Sequence, residues 1–167
     1  MGLIQEIDGV WTLARNATRL LPSAVRTLIQ RRAARLPDET KQHLADAAIL
    51  GRSFSLKDLH SIKLHLGANE EGCNPTVLAD SLVPATQAGL LVEHPAGSPA
   101  DYEFTHEQVR EFAAAMLTSA RRRAIHTALV DMLTADGDPP PESLSLLAHH
   151  ALAAGDASRC GRSDEQA

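Results

Sequence analysis

Leu90-Leu91-Val92-Glu93-His94, Pro95-Ala96-Gly97-Ser98-Pro99-Ala100 and Asp101-Tyr102-Glu103-Phe104-Thr105 follow one another without a break, and the fold turns on this stretch. The outer two runs are short and β-prone. The six residues between them are turn formers, so the pattern predicts a hairpin with a six-residue loop. Gly89 punctuates its start, and Thr105-His106 leads back into helical periodicity.

Working upstream, Thr76 opens a predicted helix with Val77, Leu78, Leu82 and Ala85 at helical spacing; Pro84 should kink or break it by removing a hydrogen bond and clashing one turn back. Gly67 to Pro75 is polar and reads as a loop. Before it, Ser55 is placed to cap a short helix that turns Leu59, Ile62 and Leu66 inward. Pro37-Asp38-Glu39 opens another, with acids where the helix dipole favours them, running through Leu44, Ala47, Ala48 and Leu50 to a capping Gly51. Three helices and then a hairpin is the order of a winged-helix domain, here residues 38–105.

Helices are expected on both sides. Leu3, Ile4, Ile7, Val10, Trp11 and Ala14 fit an amphipathic helix over 3–15, weakened by Gly9. Leu21-Pro22-Ser23 starts a second one that stops at Pro37. Val25, Leu28, Ile29, Ala33 and Leu36 form its apolar stripe, and Arg26, Gln30, Arg31, Arg32 and Arg35 its solvent face. Downstream, Val109, Phe112, Ala113 and Met116 share one helical face, and Ser119 caps a helix bearing Ile125, Leu129, Met132 and Leu133. Asp136 to Pro141 is a linker. A last helix runs from Pro141-Glu142 through Leu144, Leu147, Ala148 and Leu152 to Gly155, and 157–167 is a polar, frayed tail.

Composition agrees with a mainly α chain. Only five aromatic residues sit in 167, while apolar residues make up 44%, so the core must come from Leu, Ala, Val and Ile. Sixteen basic against twenty-one acidic side chains leave a formal charge of −5, the wrong sign for a protein whose business is neutralising phosphates. Cys73 and Cys160 belong to no zinc-type spacing and read as free thiols. No apolar run is long enough to span a membrane, and Met1 to Glu6 lacks the pattern of a secretion signal, so a cytoplasmic chain is expected.

Candidate chemistry is thin. The glycines are dispersed and none precedes Lys-Ser or Lys-Thr, so no phosphate loop is present and no cofactor is expected. The closest histidine pairs, His60 with His65 and His149 with His150, lack the three- or four-residue spacing of a two-ligand helix face, so no metal is expected. No Gly-x-Ser-x-Gly elbow or other nucleophile context occurs, and no catalytic residue is assigned.

Several pieces in a fixed order carry a resemblance. These are Leu21-Pro22-Ser23-Ala24-Val25-Arg26, Arg35-Leu36-Pro37, Ala47-Ala48-Ile49-Leu50-Gly51-Arg52-Ser53-Phe54 and Ala88-Gly89-Leu90-Leu91, then Tyr102-Glu103-Phe104-Thr105-His106 with Val109-Arg110-Glu111. Arg121-Arg122-Arg123 with His126, and Ala148-His149-His150 with Ala153-Ala154-Gly155-Asp156, complete the set. Over roughly residues 3–156 the chain resembles the region after the nucleotide-binding core of bacterial STAND-class AAA-type ATPases, including LuxR-type regulators and cyclase- or kinase-linked ATPases.

The resemblance implies an ATPase core upstream, linker helices over 1–37, the winged-helix-like domain at 38–105, and a helical extension over 106–156 toward tetratricopeptide-like repeats. It marks His106, Arg110, Arg122 and His126 as possible interdomain contacts. For the two histidines the plainer expectation is a hydrogen bond that locks the hairpin to the following helices. Two departures stand out: Pro84 falls where the family keeps a continuous helix, and after Asp156 the expected repeat helix gives way to Ser158-Arg159-Cys160-Gly161-Arg162-Ser163.

A winged helix often reads DNA, placing its third helix in the major groove and its hairpin on the backbone. Here neither Thr76–Ala88 nor Leu90–Thr105 contains Lys or Arg, and Asp80, Glu93, Asp101 and Glu103 add negative charge. The arginines at 26, 31, 32, 35 and 121–123 lie outside those elements, where they read as solvated helix faces or as contacts to an acidic protein surface. The expectation is therefore a non-catalytic regulatory segment of a signal-transducing ATPase, partnered by that core or another protein. A DNA-binding domain of a transcription regulator is the alternative.

Overall fold

The structure is a computed structural model and describes residues 4–7, 10–13, 23–135 and 144–155. It is mainly helical, with a small three-stranded antiparallel sheet.

The first described element overturns an expectation. Ile4–Ile7 (β1) and Val10–Leu13 (β2) are strands, paired antiparallel in the register Ile4↔Leu13 and Ile7↔Val10, where a helix over 3–15 was expected. The apolar spacing fitted a helical face, but Asp8-Gly9 lies between two β-prone runs, and that dipeptide is the strongest short hairpin signal.

Helix α1 (Ser23–Ala34) lays Ile29 and Ala33 into the core, followed by Leu36. Leu28, expected in the same stripe, is instead 49% exposed. Helix α2 (Asp38–Leu50) begins after Pro37 with Asp38 and Glu39 in its first turn. It ends at Gly51, whose φ of 140° is a backbone angle that L side chains rarely adopt. Helix α3 (Leu56–His65) is capped by Ser55. The hydroxyl accepts from Asp58 N at 3.0 Å and donates to the Asp58 carboxylate at 2.7 Å.

The expected loop at 67–75 contains one short helical turn, α4 (Glu70–Cys73). Helix α5 (Pro75–Gln87) starts one residue earlier than expected, with the Asn74 side chain accepting from Val77 N. The helix continues through Pro84 to Gln87, so the expected break does not occur. Only the last turn follows the proline, so the helix forfeits one bond, that to the Asp80 carbonyl, and continues.

The hairpin forms as β4 (Leu91–Glu93) and β5 (Tyr102–Phe104). A third strand, β3 (Ser53–Phe54), joins β5 and gives the order β3-β5-β4, so the sheet is larger than the single hairpin expected. Phe54, Tyr102 and Phe104 are all buried here, and the Phe54 ring lies 5.8 Å from each of the other two. They meet Leu44, Leu59, Leu78, Leu82 and Leu90 in the main core. Asp101, at the foot of the hairpin, accepts from Leu56 N at 2.7 Å and so supplies a partner to one of the free amides that open α3.

Beyond the sheet come α6 (Glu107–Ala115), α7 (Ser119–Thr134) and α8 (Leu144–Ala154). The cap of α7 is Thr118, accepting from Arg121 N, rather than Ser119. A second, smaller cluster of Ile62, Ile125 and Leu129 joins α7 to α3. The last helix differs from expectation in its face: His150 and Ala151 are buried, while Leu144 and Leu152, expected inward, are 45% and 78% exposed. The expected linker start and the expected tail at 157–167, with Cys160, lie outside the described residues; Cys73 is a buried free thiol. Among the described residues no helix is long and apolar enough to cross a membrane.

Candidate functional site

The four residues marked as possible contacts lie along α6 and α7, and three of their side chains are engaged within the chain. His106, the N-cap of α6, is exposed, and its carbonyl receives Val109 N at 2.9 Å; its side chain makes no cap bond. Arg110 donates from Nη1 to the Ala48 carbonyl at 2.9 Å and from Nε to Glu107 at 2.8 Å. Arg122 donates to the Ala114 carbonyl at 2.8 Å.

These two bonds have a shared physical cause. Ala48 is in the last turn of α2 and Ala114 in the last turn of α6, where carbonyls have no partner within their own helix. At Ala48 the Arg110 guanidinium satisfies such an acceptor, the Ala114 carbonyl accepts from Leu117 N at 3.2 Å as well as from Arg122, and both guanidiniums sit at the negative end of a helix dipole. The bond to Glu107 holds the Arg110 guanidinium further above its ordinary pKa, against the opposing effect of partial burial.

His126 does not lock the hairpin. Its Nδ1 lies 2.9 Å from Nδ1 of His150, and both rings are buried, so α7 and α8 are pinned by an imidazole pair. His149 completes a cluster, with ring centroids 6.1 Å from His126 and 5.2 Å from His150. Burial pushes His126 below its usual pKa, helped by His149 and Arg122. Burial likewise lowers His150 to about 4, helped by His126 and His149. Among the described residues no three His, Cys, Asp or Glu side chains gather in metal-binding geometry.

The arginine run at 121–123 proves heterogeneous. Arg121 is not a solvated residue: its Nε and Nη2 reach the two oxygens of Asp46 at 3.2 and 2.9 Å. Lys63 donates to the same carboxylate at 3.0 Å. Asp46 is fully buried and Lys63 nearly so, and one carboxylate thereby joins α2, α3 and α7. The sequence held a signal for this. Asp46 interrupts the apolar run Leu44-Ala45-Asp46-Ala47-Ala48, and a buried carboxylate must find cations or hydrogen bonds.

A second polar strut joins α2 to α5. Thr40 Oγ1 donates to the Ser81 carbonyl at 2.7 Å, and His43 Nδ1 lies 2.6 Å from Ser81 Oγ. The Ser81 hydroxyl donates to the Leu78 carbonyl at 2.7 Å, which makes the His43 nitrogen its donor. Burial, and secondarily Lys63, lower the His43 pKa.

The surface that a nucleic acid backbone would meet is now defined. The exposed side of α5 carries Thr76, Asp80, Val83 and Gln87. On the hairpin, Asp101 is occupied by Leu56 N, and Glu103 is paired with Arg52 at 2.9 Å and His94 at 3.3 Å. Glu93 and Val92 are exposed. The acids are thus partly neutralised from within, but no cation of α5 or the hairpin replaces them. Comparison with known proteins finds no matching family model, no matching curated protein and no matching solved structure.

Proposed function

We propose that this chain is a non-catalytic, winged-helix-centred regulatory segment of a larger STAND-type signal-transducing ATPase, acting through protein contacts. In this reading α2, β3, α3, α5, β4 and β5 are the winged helix, since helix–strand–helix–helix–hairpin with the first strand against the last is that domain's connectivity. The pair α7–α8 then begins a tetratricopeptide-like extension. The segment couples the nucleotide state of an ATPase core to the helices that follow.

One observation carries the choice of protein over nucleic acid: the exposed face of α5 and the hairpin offer Asp80, Val83, Val92 and Glu93 and no lysine or arginine. Ser81 and His43 are not arranged as a nucleophile and its base, because the hydroxyl proton is given to the Leu78 carbonyl rather than to His43. Rigid joints also suit a lever. Asp46 and Arg121 fuse the extension to the winged-helix core, so displacement of either is transmitted to the other.

The test is to mix the chain with a separately made STAND-type ATPase core, with ADP and with ATP, and to measure affinity by calorimetry. Nucleotide-dependent binding is the expected result. Equal or absent binding in both states overturns the reading, and a low-salt shift of duplex DNA that needs α5 favours the transcription-regulator alternative.

A further inference from the structure

Helix α1 and the turn that links α5 to β4 enclose an open groove of about 620 Å³, lined by Leu28, Arg31, Arg32, Arg35, Gln87, Ala88 and Gly89. Three guanidinium groups within five residues converge on it. No ion pair or side-chain hydrogen bond occupies Arg31, Arg32 or Arg35 among the described residues, whereas Arg52, Arg110 and Arg121 all hold carboxylates. Helix α1 itself contains no acid to offset them.

Two details distinguish this groove from an ordinary basic helix end. Favourable interaction with the helix dipole accounts for Arg31 and Arg32 in the last turn of α1. It does not account for Leu28, which is half exposed in the same groove although the main core lies on the other side of its helix. Gly89 supplies the second detail. A Cβ there would sit 3.3 Å from Arg32 Nη1, so the bare backbone lets this guanidinium lie against the turn. The groove thus combines three guanidiniums, unpaired among the described residues, with the apolar surface of Leu28 and Ala88.

We propose that this groove docks an acidic segment of a partner protein, one that presents several carboxylates to Arg31, Arg32 and Arg35 and an apolar side chain to Leu28. The inference rests on the reading that the chain works through protein contacts and names the chemistry of one such partner. Guanidinium groups pair with carboxylates in a planar, two-point geometry that lysines would not give. An open trough suits an extended segment better than an enclosed small molecule. A nucleic acid strand is the poorer match. It needs cations repeated along its path, and beyond Gln87 the neighbouring surface continues with Val83 and Asp80.

The probe is a fluorescein-labelled peptide with several Asp and Glu residues around two leucines, titrated with the full chain at low and at physiological salt by fluorescence anisotropy. Its Asn/Gln counterpart and a short DNA duplex serve as competitors. Binding of the acidic peptide, weakened about tenfold or more by R31Q/R32Q/R35Q and unchanged by R123Q, is the expected result. All four arginines are on solvent-facing positions, and circular dichroism verifies that each variant folds. Failure of the peptide to bind at low salt, equal binding of the neutral peptide, or indifference to the triple substitution overturns the proposal, as does displacement by the duplex through the same arginines. Peptide binding without any ATPase contact would sustain the groove and remove the wider functional reading; ATPase contact without peptide binding would do the reverse.

Discussion

His126 and His150 face each other Nδ1 to Nδ1 at 2.9 Å across the α7–α8 contact. In such a pair one ring donates its proton and the other must be unprotonated at that nitrogen, so a doubly protonated pair cannot keep the bond. His149 from α8 and Arg122 from α7 add positive charge around it, which further disfavours protonation.

The folded pKa values lie below the ordinary 6.5, that of His150 at about 4, so the unfolded chain binds more protons between those limits. Stability from this contact is complete above about 6.5 and is lost as pH falls toward 4, by at most about 3 kcal/mol for His150. Protection factors of the α8 amides, that is exchange rates corrected for the intrinsic base-catalysed rate at each pH, should fall over that range, and H150L should flatten the dependence. Protection that does not change with pH, or a slope that survives H150L, would refute the assignment.

Asp46 is fully buried between Lys63 and Arg121. Removing it leaves a nearly buried ammonium without a counter-ion, a situation that costs about 3–5 kcal/mol. D46A should therefore unfold at much lower urea concentration. The double variant D46L/K63M removes both buried charges and should recover most of the loss, because Arg121 is 30% exposed at its side chain and can turn to water. If the double variant is no better than D46A, Lys63 is not the group that D46A strands.

Arg110 spans from Glu107 to the Ala48 carbonyl at the end of α2. R110A should cost about 1–2 kcal/mol in urea unfolding, the range for one charge-assisted bond from a half-buried guanidinium. R110K should recover little, since a single ammonium cannot hold both partners in the fork geometry. Full rescue by lysine would mean that charge rather than geometry matters there.

Much of the helical framework was legible because its signals are local. Pro37-Asp38-Glu39, Ser55 with Asp58, and Gly51 mark helix ends by chemistry acting over three or four residues, and the structure keeps them. The hairpin was legible for the same reason. Strand β3 was not: two residues, Ser53 and Phe54, have no period, and only Glu103 and Tyr102 across the sheet make them a strand. Leu28 and Leu152 matched a helical stripe, but a stripe does not say which of its edges the neighbouring helix covers. Among the contact residues, spacing could not pair His126 with His150, or Arg121 with Asp46 across 75 positions, because those meetings depend on how α2, α7 and α8 are packed.

Pro84 gives a test of how much local preference α5 overrides. The helix continues for three residues beyond it to Gln87, so the proline forfeits the bond to the Asp80 carbonyl and its ring crowds the preceding turn. In a helix interior that combination costs about 3 kcal/mol relative to alanine, and less near an end. Proline returns about 0.4–1 kcal/mol by restricting the unfolded chain. The difference favours alanine, and P84A should stabilise the chain by about 1–2 kcal/mol in urea unfolding, with faster-exchanging amides at the end of α5 becoming slower. A destabilised P84A would mean that the half-buried ring contributes more through packing than the restored hydrogen bond supplies, and that α5 uses the proline to fix the turn at Ala88-Gly89 rather than tolerating it.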